Sequence, residues 1–171
     1  MKMKLIERRR EAPGVESFVF APEESLTWKA GQYAQYVLDH ETADDRGSQR
    51  WFTISSAPYD RHVMLTTRFN DALSSTFKSR LKDFNVGDEI EVAGIEGDFT
   101  LDDTEGEYVF LAGGIGVTPF HSMVRQFAHE GAMPRITLLH ANSDAYAPFK
   151  DQLDTIASRY ARFQVKYLAP G

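Results

Sequence analysis

The sequence predicts a six-stranded antiparallel Greek-key β-barrel over residues 1–103, followed by a truncated three-stranded parallel α/β unit over residues 104–171. Three observations support this division. Short β segments with irregular spacing fill the first hundred residues, and closing them into a barrel would remove exposed sheet edges. Strand and helix patterns then alternate, which is typical of a parallel sheet. Between these regions, residues 102–106 are polar and turn-like, so the boundary is placed there.

The predicted barrel strands are mostly rich in β-branched and aromatic residues, and most are bounded by turn formers such as Pro13-Gly14 and Gly87-Asp88. They are Leu5–Arg9, Val15–Phe20, Gln32–Leu38, Trp51–Ser55, His62–Arg68 and Glu89–Val92. One predicted helix, Ser74–Lys82, interrupts the strands. It begins with residues that cap helices well, and it places Phe77 and Leu81 on one face.

The α/β unit is predicted to begin with the apolar strand Glu107–Ala112 and a tight glycine turn. We expect Thr118 to cap the next helix, with Pro119 at its first position, and Gly131 to end that helix after about His129. The later elements are the strand Arg135–Ala141, the helix Pro148–Tyr160 and the strand Phe163–Leu168. Nucleotide-binding sheets of this kind usually have about five or six strands, so three strands predict an incomplete unit.

Composition restricts the function before any motif is considered. The chain has 171 residues, of which 42% are hydrophobic and 26% are charged, as in globular proteins. Cysteine is absent, which excludes disulfide scaffolds, thiol nucleophiles and cysteine-ligated iron–sulfur clusters. The net charge of −6 disfavours nucleic acid as a partner, and no apolar run approaches the ~20 residues that span a bilayer. We therefore expect a cytoplasmic protein. We expect no metal site, because the histidines lack metal-ligand spacing.

The first candidate binding segment is Arg50-Trp51-Phe52-Thr53. Along a strand, alternation places Arg50 and Phe52 on one side and the other two residues on the opposite side. Arginine binds phosphate through paired hydrogen bonds, and an aromatic face stacks on a planar heterocycle. The same residues equally fit an ordinary barrel strand whose arginine pairs with a carboxylate.

The second candidate segment is Gly113-Gly114-Ile115-Gly116, between a predicted strand and a predicted helix. Glycines at such a turn let the backbone approach a diphosphate, and the following helix start adds N–H donors. The spacing Gly-x-Gly-x-x-Pro departs from the usual Gly-x-Gly-x-x-Gly. Glycines that only permit tight packing are the alternative.

The third candidate segment is the strand Leu65–Arg68, together with Ser74, Ser75 and Thr76 at the start of the predicted helix. Hydroxyls and N–H groups at a helix start are suited to phosphate oxygens. A helix that is simply well capped fits these residues too.

Taken in order, these segments resemble the ferredoxin–NADP reductase superfamily of flavoproteins over nearly the whole chain. Gly31-Gln32-Tyr33 is similar to its Gly-Gln-Tyr, and Arg50-Trp51-Phe52-Thr53 to its Arg-x-Tyr-Ser. Gly113–Pro119 is similar to its Gly-Gly-x-Gly-x-Thr-Pro loop. The resemblance implies a flavin-binding barrel over 1–103 and an incomplete NAD(P)-binding domain over 104–171.

The resemblance also implies a role for each matching residue. Arg50 would hold the flavin diphosphate, Phe52 would stack on the isoalloxazine, and Thr53 would hydrogen-bond its redox-active N5. Phe52 and Thr53 are therefore the catalytic candidates. The other cofactor-binding candidates are Thr66, Thr67 and Arg68, then Ser75 and Thr76, and in the glycine loop Gly113, Gly114, Gly116, Val117, Thr118 and Pro119.

The function implied is a flavin-dependent oxidoreductase that passes electrons from NAD(P)H through FAD, or FMN, to a one-electron acceptor. The acceptor would be a ferredoxin, a flavodoxin, a haem or ferric iron. It would be either a separate carrier protein or a small oxidant. One alternative is an electron-transfer subunit without NAD(P)H turnover of its own. Another is a fragment that associates through its unfinished sheet edge. Asp144 slightly favours NADH, because a carboxylate suits a ribose hydroxyl and repels a 2′-phosphate.

Overall fold

The computed structural model describes residues 1–40, 43–70, 74–143 and 146–169. Asp144, on which the NADH expectation depends, lies outside these residues. The strands are β1 (Lys2–Ala12), β2 (Val15–Pro22), β3 (Tyr33–Val37), β4 (Gln49–Thr53), β5 (Val63–Arg68), β6 (Glu89–Glu96), β7 (Glu107–Gly113), β8 (Arg135–Ala141) and β9 (Phe163–Leu168). The helices are α1 (Thr76–Lys82), α2 (Thr118–Glu130) and α3 (Lys150–Arg159), and none is long and apolar enough to cross a bilayer.

The first six strands form one antiparallel sheet in the order β4-β3-β6-β1-β2-β5. A bridge between Ile54 and Leu65 joins its two ends and closes the barrel. The long strand β1 has irregular pairing with β2 between Leu5 and Glu7, and such bulges bend a strand around a barrel. Buried aromatic and aliphatic side chains fill the interior. The sheet order and the closing bridge confirm the predicted antiparallel barrel. Closure is favourable because it leaves few unpaired strand edges.

The last three strands form a parallel sheet in the order β7-β8-β9. On one face, side chains such as Phe110 and Leu138 pack with apolar residues of α2 and α3. On the opposite face of β7, Val109 and Leu111 are 64% and 71% exposed. The predicted three-stranded α/β unit is therefore present, with one apolar face of its first strand open.

The start of α2 differs from the prediction. Thr118 is the first residue of the helix rather than its cap, Pro119 is the second, and Val117 precedes them with near-helical dihedral angles (φ −70°, ψ −16°). Residues 114–117 form a 3₁₀ turn that continues directly into α2. No extended residue remains there whose side chain could cap the helix, and the Thr118 hydroxyl instead donates to the carbonyl oxygen of Ile115 at 3.2 Å. The predicted end at Gly131 is correct, with φ +67°.

Side chains of α2 attach the α/β unit to the barrel. His121 Nδ1 donates to the carbonyl oxygen of Ser55 at 2.7 Å, and Ser122 Oγ donates to that of Ser56 at 2.6 Å. Arg125 binds both carboxylate oxygens of Asp60 at 2.6 and 2.8 Å. Burial lowers the pKa of His121 to about 4, so this joint carries a neutral imidazole at neutral pH. The division at residues 103 and 104 stays a prediction.

Candidate functional site

Strand β4 shows the alternation that its sequence predicts. The ring of Phe52 lies 5.7 Å from that of Phe77, and the Arg50 guanidinium lies 5.7 Å from the centre of the same ring. Trp51 points to the other side, where its ring meets that of Tyr33 at 5.1 Å. Arg50 and Phe52 are thus brought together, as the sequence predicts, while half-buried Thr53 ends the strand.

The guanidinium of Arg50 is held by the loop that precedes β4. Its side chain is only 10% exposed. Nη1 donates to the carbonyl oxygens of Arg46, Gly47 and Gln49 at 2.9, 2.8 and 2.7 Å. Nη2 donates to Asp44 Oδ1 at 2.5 Å, and Nε is buried with no hydrogen-bond partner among the described residues. Arg50 therefore binds an anion already, while its Nε donor has no partner.

Three donors surround the carboxylate of Asp44. Besides Arg50, the backbone N–H of Arg46 donates to Oδ1 at 3.0 Å and that of Thr76 to Oδ2 at 3.3 Å. Desolvation alone would raise the pKa of Asp44, but the hydrogen bond from Arg50 and the backbone donors outweigh it and lower the pKa to about 2. Asp44 is therefore ionised at neutral pH.

A second cation, Arg46, lies close to this carboxylate, and Lys78 lies near Arg46. Arg46 Nη2 is 3.7 Å from Asp44 Oδ2. Desolvation, and then the charge of nearby Arg46, lowers the pKa of Lys78. We call Arg46, Arg50 and Lys78 the cation cluster. Sequence reasoning missed its link to Asp44, because an acidic residue in a polar loop is usually solvated, and only the folded loop places this one on Arg50.

The hydroxyls at the start of α1 are engaged within the chain. Ser75 caps the helix by accepting from the backbone N–H of Lys78 at 3.3 Å. Thr76 Oγ1 lies 2.8 Å from His40 Nε2 and accepts from the backbone N–H of Asp44 at 3.0 Å. The structure thus places Ser75 and Thr76 beside Asp44 and Lys78, but their hydroxyls already have partners.

On β5, Thr66 and Thr67 are buried and Arg68 is half-buried. The Thr66 hydroxyl lies 2.7 Å from Ser17 Oγ and 2.6 Å from Ser55 Oγ, inside the barrel wall. It would have to leave this network to bind a cofactor. Arg68 is better placed, because its guanidinium reaches the glycine loop: a Cβ atom on Gly114 would lie 3.9 Å from Arg68 Nη2.

The glycine loop presents its backbone to open space. A Cβ atom at Gly113 or Gly116 would have no atom within 4 Å among the described residues, and Gly114 has φ +50°. The side chains of Val117 and Thr118 are buried and that of Pro119 is half-buried, so only the glycine backbone is free to approach a ligand.

His140 of β8 contacts the glycine loop, and sequence reasoning missed it. Its Nε2 donates to the carbonyl oxygen of Gly114 at 3.0 Å, and its Nδ1 is buried with no partner among the described residues. Burial lowers the pKa of His140, so the ring is neutral. No group of three metal-ligating side chains occurs in the described part of the chain.

The comparisons with known proteins agree with this arrangement. Residues 110–170 match the family described as "Oxidoreductase NAD-binding domain". A flavohemoprotein of Pseudomonas putida is 27% identical over 97% of this chain and 42% of its own length. The flavohem-like FAD/NAD-binding domain of a nitric oxide dioxygenase from Vibrio cholerae superimposes with a TM-score of 0.84, at 18% identity, over 99% of this chain and 78% of that one.

A ferredoxin–NADP⁺ reductase from Plasmodium falciparum superimposes with a TM-score of 0.83, at 16% identity, over 98% of this chain and 69% of that one. The chain spans about two fifths of the length of the curated relatives that it matches. The barrel, the glycine loop and the parallel sheet give this chain the fold that those two structures share. Over residues 110–170 the chain thus matches the oxidoreductase NAD-binding family, and over nearly its whole length it is similar in sequence to flavohemoproteins and in fold to a ferredoxin–NADP⁺ reductase.

Proposed function

We propose that this chain is a flavin-dependent oxidoreductase, or the reductase part of one, which takes electrons from NAD(P)H and delivers them through FAD to a one-electron acceptor. One observation carries the proposal: Arg68 of the barrel lies beside Gly114 of the glycine loop. Two candidate binding segments from different sheets therefore lie next to each other. Close approach of two reactants in one crevice is what a direct transfer reaction requires.

The residues present fit the phosphate part of a flavin nucleotide. The cation cluster already holds an anionic carboxylate, and the buried Nε of Arg50 lacks a partner. Arginine prefers to bind phosphate through two of its N–H groups. Arg50 would therefore hold the diphosphate, while Phe52 would offer its ring face and Thr53 a hydroxyl at the end of β4. FMN, with one phosphate, fits the same cluster.

The bound flavin would supply acceptance of a hydride and release of single electrons, so the protein needs no nucleophile of its own. The chain's residues bind, orient and exclude water. The exposed backbone of Gly113–Gly116 is suited to the diphosphate of NAD(P)H, and Arg68 to the contact between the two ligands. The Phe52 and Phe77 rings would keep that side of the site apolar.

The relatives support the same chemistry. By name, one is a flavohemoprotein, one a domain that binds FAD and NAD, and one a reductase that uses ferredoxin and NADP⁺. We propose that the acceptor is a separate carrier protein, such as a haem, iron–sulfur or flavin protein, or a small oxidant. The preference for NADH and the cytoplasmic location stay predictions.

The visible spectrum of the purified protein, reconstituted with FAD if necessary, tests this function. We expect flavin absorbance that anaerobic NADH or NADPH bleaches. A yellow protein bleached by dithionite but by neither nucleotide would indicate the alternative, an electron-transfer subunit without NAD(P)H turnover. A protein that stays colourless after incubation with excess FAD would overturn the proposed function.

The open side of the parallel sheet favours the other alternative from the sequence, a fragment that associates through its unfinished sheet edge. On β7, Val109 and Leu111 are largely exposed, and neither edge of the sheet order β7-β8-β9 is paired with another described strand. Unpaired edges with apolar side chains promote association. We propose that the chain associates through its unpaired sheet edge, where the exposed Val109 and Leu111 of β7 lie.

Replacing Leu111 by lysine should weaken this association, because a charge would interrupt the apolar face. Sedimentation velocity over a range of concentrations measures it. Val86→Lys is the control, since Val86 is 67% exposed outside the parallel sheet. A wild-type protein that stays monomeric at high concentration, or a Leu111→Lys variant that associates as strongly as Val86→Lys, would argue against the β7 face.

A further inference from the structure

We propose that Glu11 of β1 carries a proton in the folded protein, and that this proton completes a line of hydrogen bonds through the barrel wall. The line runs from the Glu11 carboxyl group through Ser17, Thr66 and Ser55 to the carbonyl oxygen of Met64, and we call it the hydroxyl line. Ionisation of Glu11 at higher pH breaks the line, which makes Glu11 a pH-sensitive element of the barrel. The inference goes beyond the proposed function and does not depend on it.

The hydroxyl line is continuous and closed to solvent along its middle. The Ser17 hydroxyl oxygen lies 2.8 Å from Glu11 Oε1 and 2.7 Å from Thr66 Oγ1. Thr66 Oγ1 also lies 2.6 Å from Ser55 Oγ, which in turn lies 2.8 Å from the carbonyl oxygen of Met64. Each of these distances is that of a hydrogen bond. Ser17 and Ser55 are fully buried and Thr66 is 4% exposed, so bulk water does not reach the hydroxyls.

The number of hydrogens along the line shows what Glu11 must supply. Each hydroxyl has a single hydrogen, and a carbonyl oxygen has none. Three hydroxyls therefore supply three hydrogens to four hydrogen-bond distances. The fourth hydrogen has to come from the carboxyl end of the line, with Glu11 donating to Ser17. An ionised Glu11 leaves two buried oxygens in close contact with no hydrogen between them, which costs free energy.

The surroundings of Glu11 favour the protonated form. Burial raises the pKa of Glu11, and the nearby carboxylate of Glu7 raises it further. A hydrogen bond accepted from Ser17 and the charges of Arg9 and Arg125 act in the opposite direction, yet the pKa stays above its usual value. When Glu11 donates to Ser17 instead, that bond stabilises the neutral form and adds to the rise.

The arginines near Glu11 are bound to other carboxylates. Arg9 Nε lies 2.5 Å from Glu7 Oε1, and Arg125 Nη1 lies 2.6 Å from Asp60 Oδ2. Their positive charges are therefore largely balanced before they act on Glu11. The cavity that Glu11 lines has further charged or titratable side chains, which are Arg10, Tyr146, Lys150 and Asp151. Ser17 is the hydrogen-bond partner that the structure gives to the Glu11 carboxyl group.

The carboxyl carbon-13 resonances of the full chain test the proton on Glu11 directly. Glu7 lies on the same strand and is the internal control, because a hydrogen bond from Arg9 lowers its pKa. We expect the Glu11 resonance to titrate above the usual range of a glutamate and the Glu7 resonance below it. Glu11→Gln identifies the Glu11 resonance by its loss. A Glu11 resonance that titrates at or below the usual value would overturn the proposal.

Ser17→Ala separates the hydroxyl line from burial alone, because the two explanations predict opposite shifts. If Glu11 donates to Ser17, removing the hydroxyl takes an acceptor from the neutral form, and the Glu11 resonance should titrate at lower pH. If Glu11 only accepts from Ser17, removing the hydroxyl takes a donor from the charged form, and titration should move to higher pH. A shift to higher pH, or no shift, would contradict the hydroxyl line.

Glu11→Gln supplies the fourth hydrogen at every pH, because its amide group donates. A raised pKa stabilises the fold at low pH, and this contribution is lost as pH rises through the native pKa of Glu11. The variant should therefore gain stability relative to the wild-type protein over that interval. The ratio of their folding equilibrium constants, from urea denaturation, should grow about tenfold for each pH unit that separates the native pKa from that of the unfolded chain.

Glu7→Gln is the matched control on the same strand. Because the pKa of Glu7 is lowered by its hydrogen bond from Arg9, its contribution to stability is lost as pH falls. This variant should gain on the wild-type protein toward low pH, which is the opposite trend. A stability ratio for Glu11→Gln that does not change with pH, or that follows the trend of Glu7→Gln, would show that Glu11 holds no proton in the fold.

Discussion

Arg50→Ala should lose bound flavin nucleotide far more severely than it loses stability. Hydrogen bonds from a guanidinium to an anion contribute about 1.5–3 kcal/mol, so we expect FAD to bind on the order of 10- to 100-fold more weakly. Arg50→Lys should recover only part of this affinity, because an ammonium group is a point charge that cannot bind phosphate side-on. Equilibrium dialysis, or the flavin-to-protein ratio after gel filtration, measures the loss.

Arg46→Ala is the control for charge alone. Arg46 belongs to the same cluster, but 66% of its side chain is exposed, so its removal should weaken FAD binding only slightly. Riboflavin supplies the control for folding, because Arg50→Ala should leave its affinity unchanged. Equal loss of riboflavin and FAD would mean that the substitution distorts the barrel, and undiminished FAD content would contradict the role assigned to Arg50.

The structure is compatible with both sequence interpretations of Arg50. The sequence allowed an arginine on phosphate or an arginine paired with a carboxylate, and the carboxylate pair with Asp44 is what the chain forms by itself. The pair leaves the buried Nε without a partner. In an arginine with a purely structural role, such an unpaired buried donor would cost free energy. The unused donor leaves Arg50 able to bind a phosphate in addition to Asp44.

Features carried by a few neighbouring residues were predictable. The alternation along β4 placed Arg50 beside Phe52, and the strand–glycine–helix order located the loop at Gly114. The cap at Thr118 was not predictable, because its prediction assumed an extended residue before α2, whereas a 3₁₀ turn runs into the helix. Local patterns therefore located the elements better than their junctions.

Contacts between distant residues were not predictable at all. His140 reaches Gly114 only because β8 lies beside β7 in the parallel sheet. Asp44 reaches Thr76 only because the loop before β4 folds onto the start of α1. Neither residue belongs to a motif, and each would be read as structural or solvated from its neighbours alone. The residues that tune the site thus come from tertiary packing rather than from the motifs that define it.

Gly31→Ala should destabilise the protein by more than about 3 kcal/mol, a large fraction of the stability of a typical domain. Gly31 has φ +102°, a conformation that strains other residues. A Cβ atom there would also lie 2.1 Å from the carbonyl oxygen of Phe99 and 2.4 Å from Met123 Cε. Met123 Cε is the end of a flexible side chain and can move, so the clash with the backbone carbonyl of Phe99 is the one that costs stability. Chemical denaturation followed by circular dichroism measures the change.

Gly87→Ala separates the clash from the strain. Gly87 has nearly the same dihedral angle, φ +103°, but a Cβ atom there would meet no described atom within 4 Å. Strain alone costs on the order of 1–3 kcal/mol, and we expect this variant to fold. If both variants lost the same stability, close packing at Gly31 would have no energetic role. A larger loss at Gly31 would instead mean that the close approach of the Phe99 carbonyl to this glycine contributes to the stability of the fold.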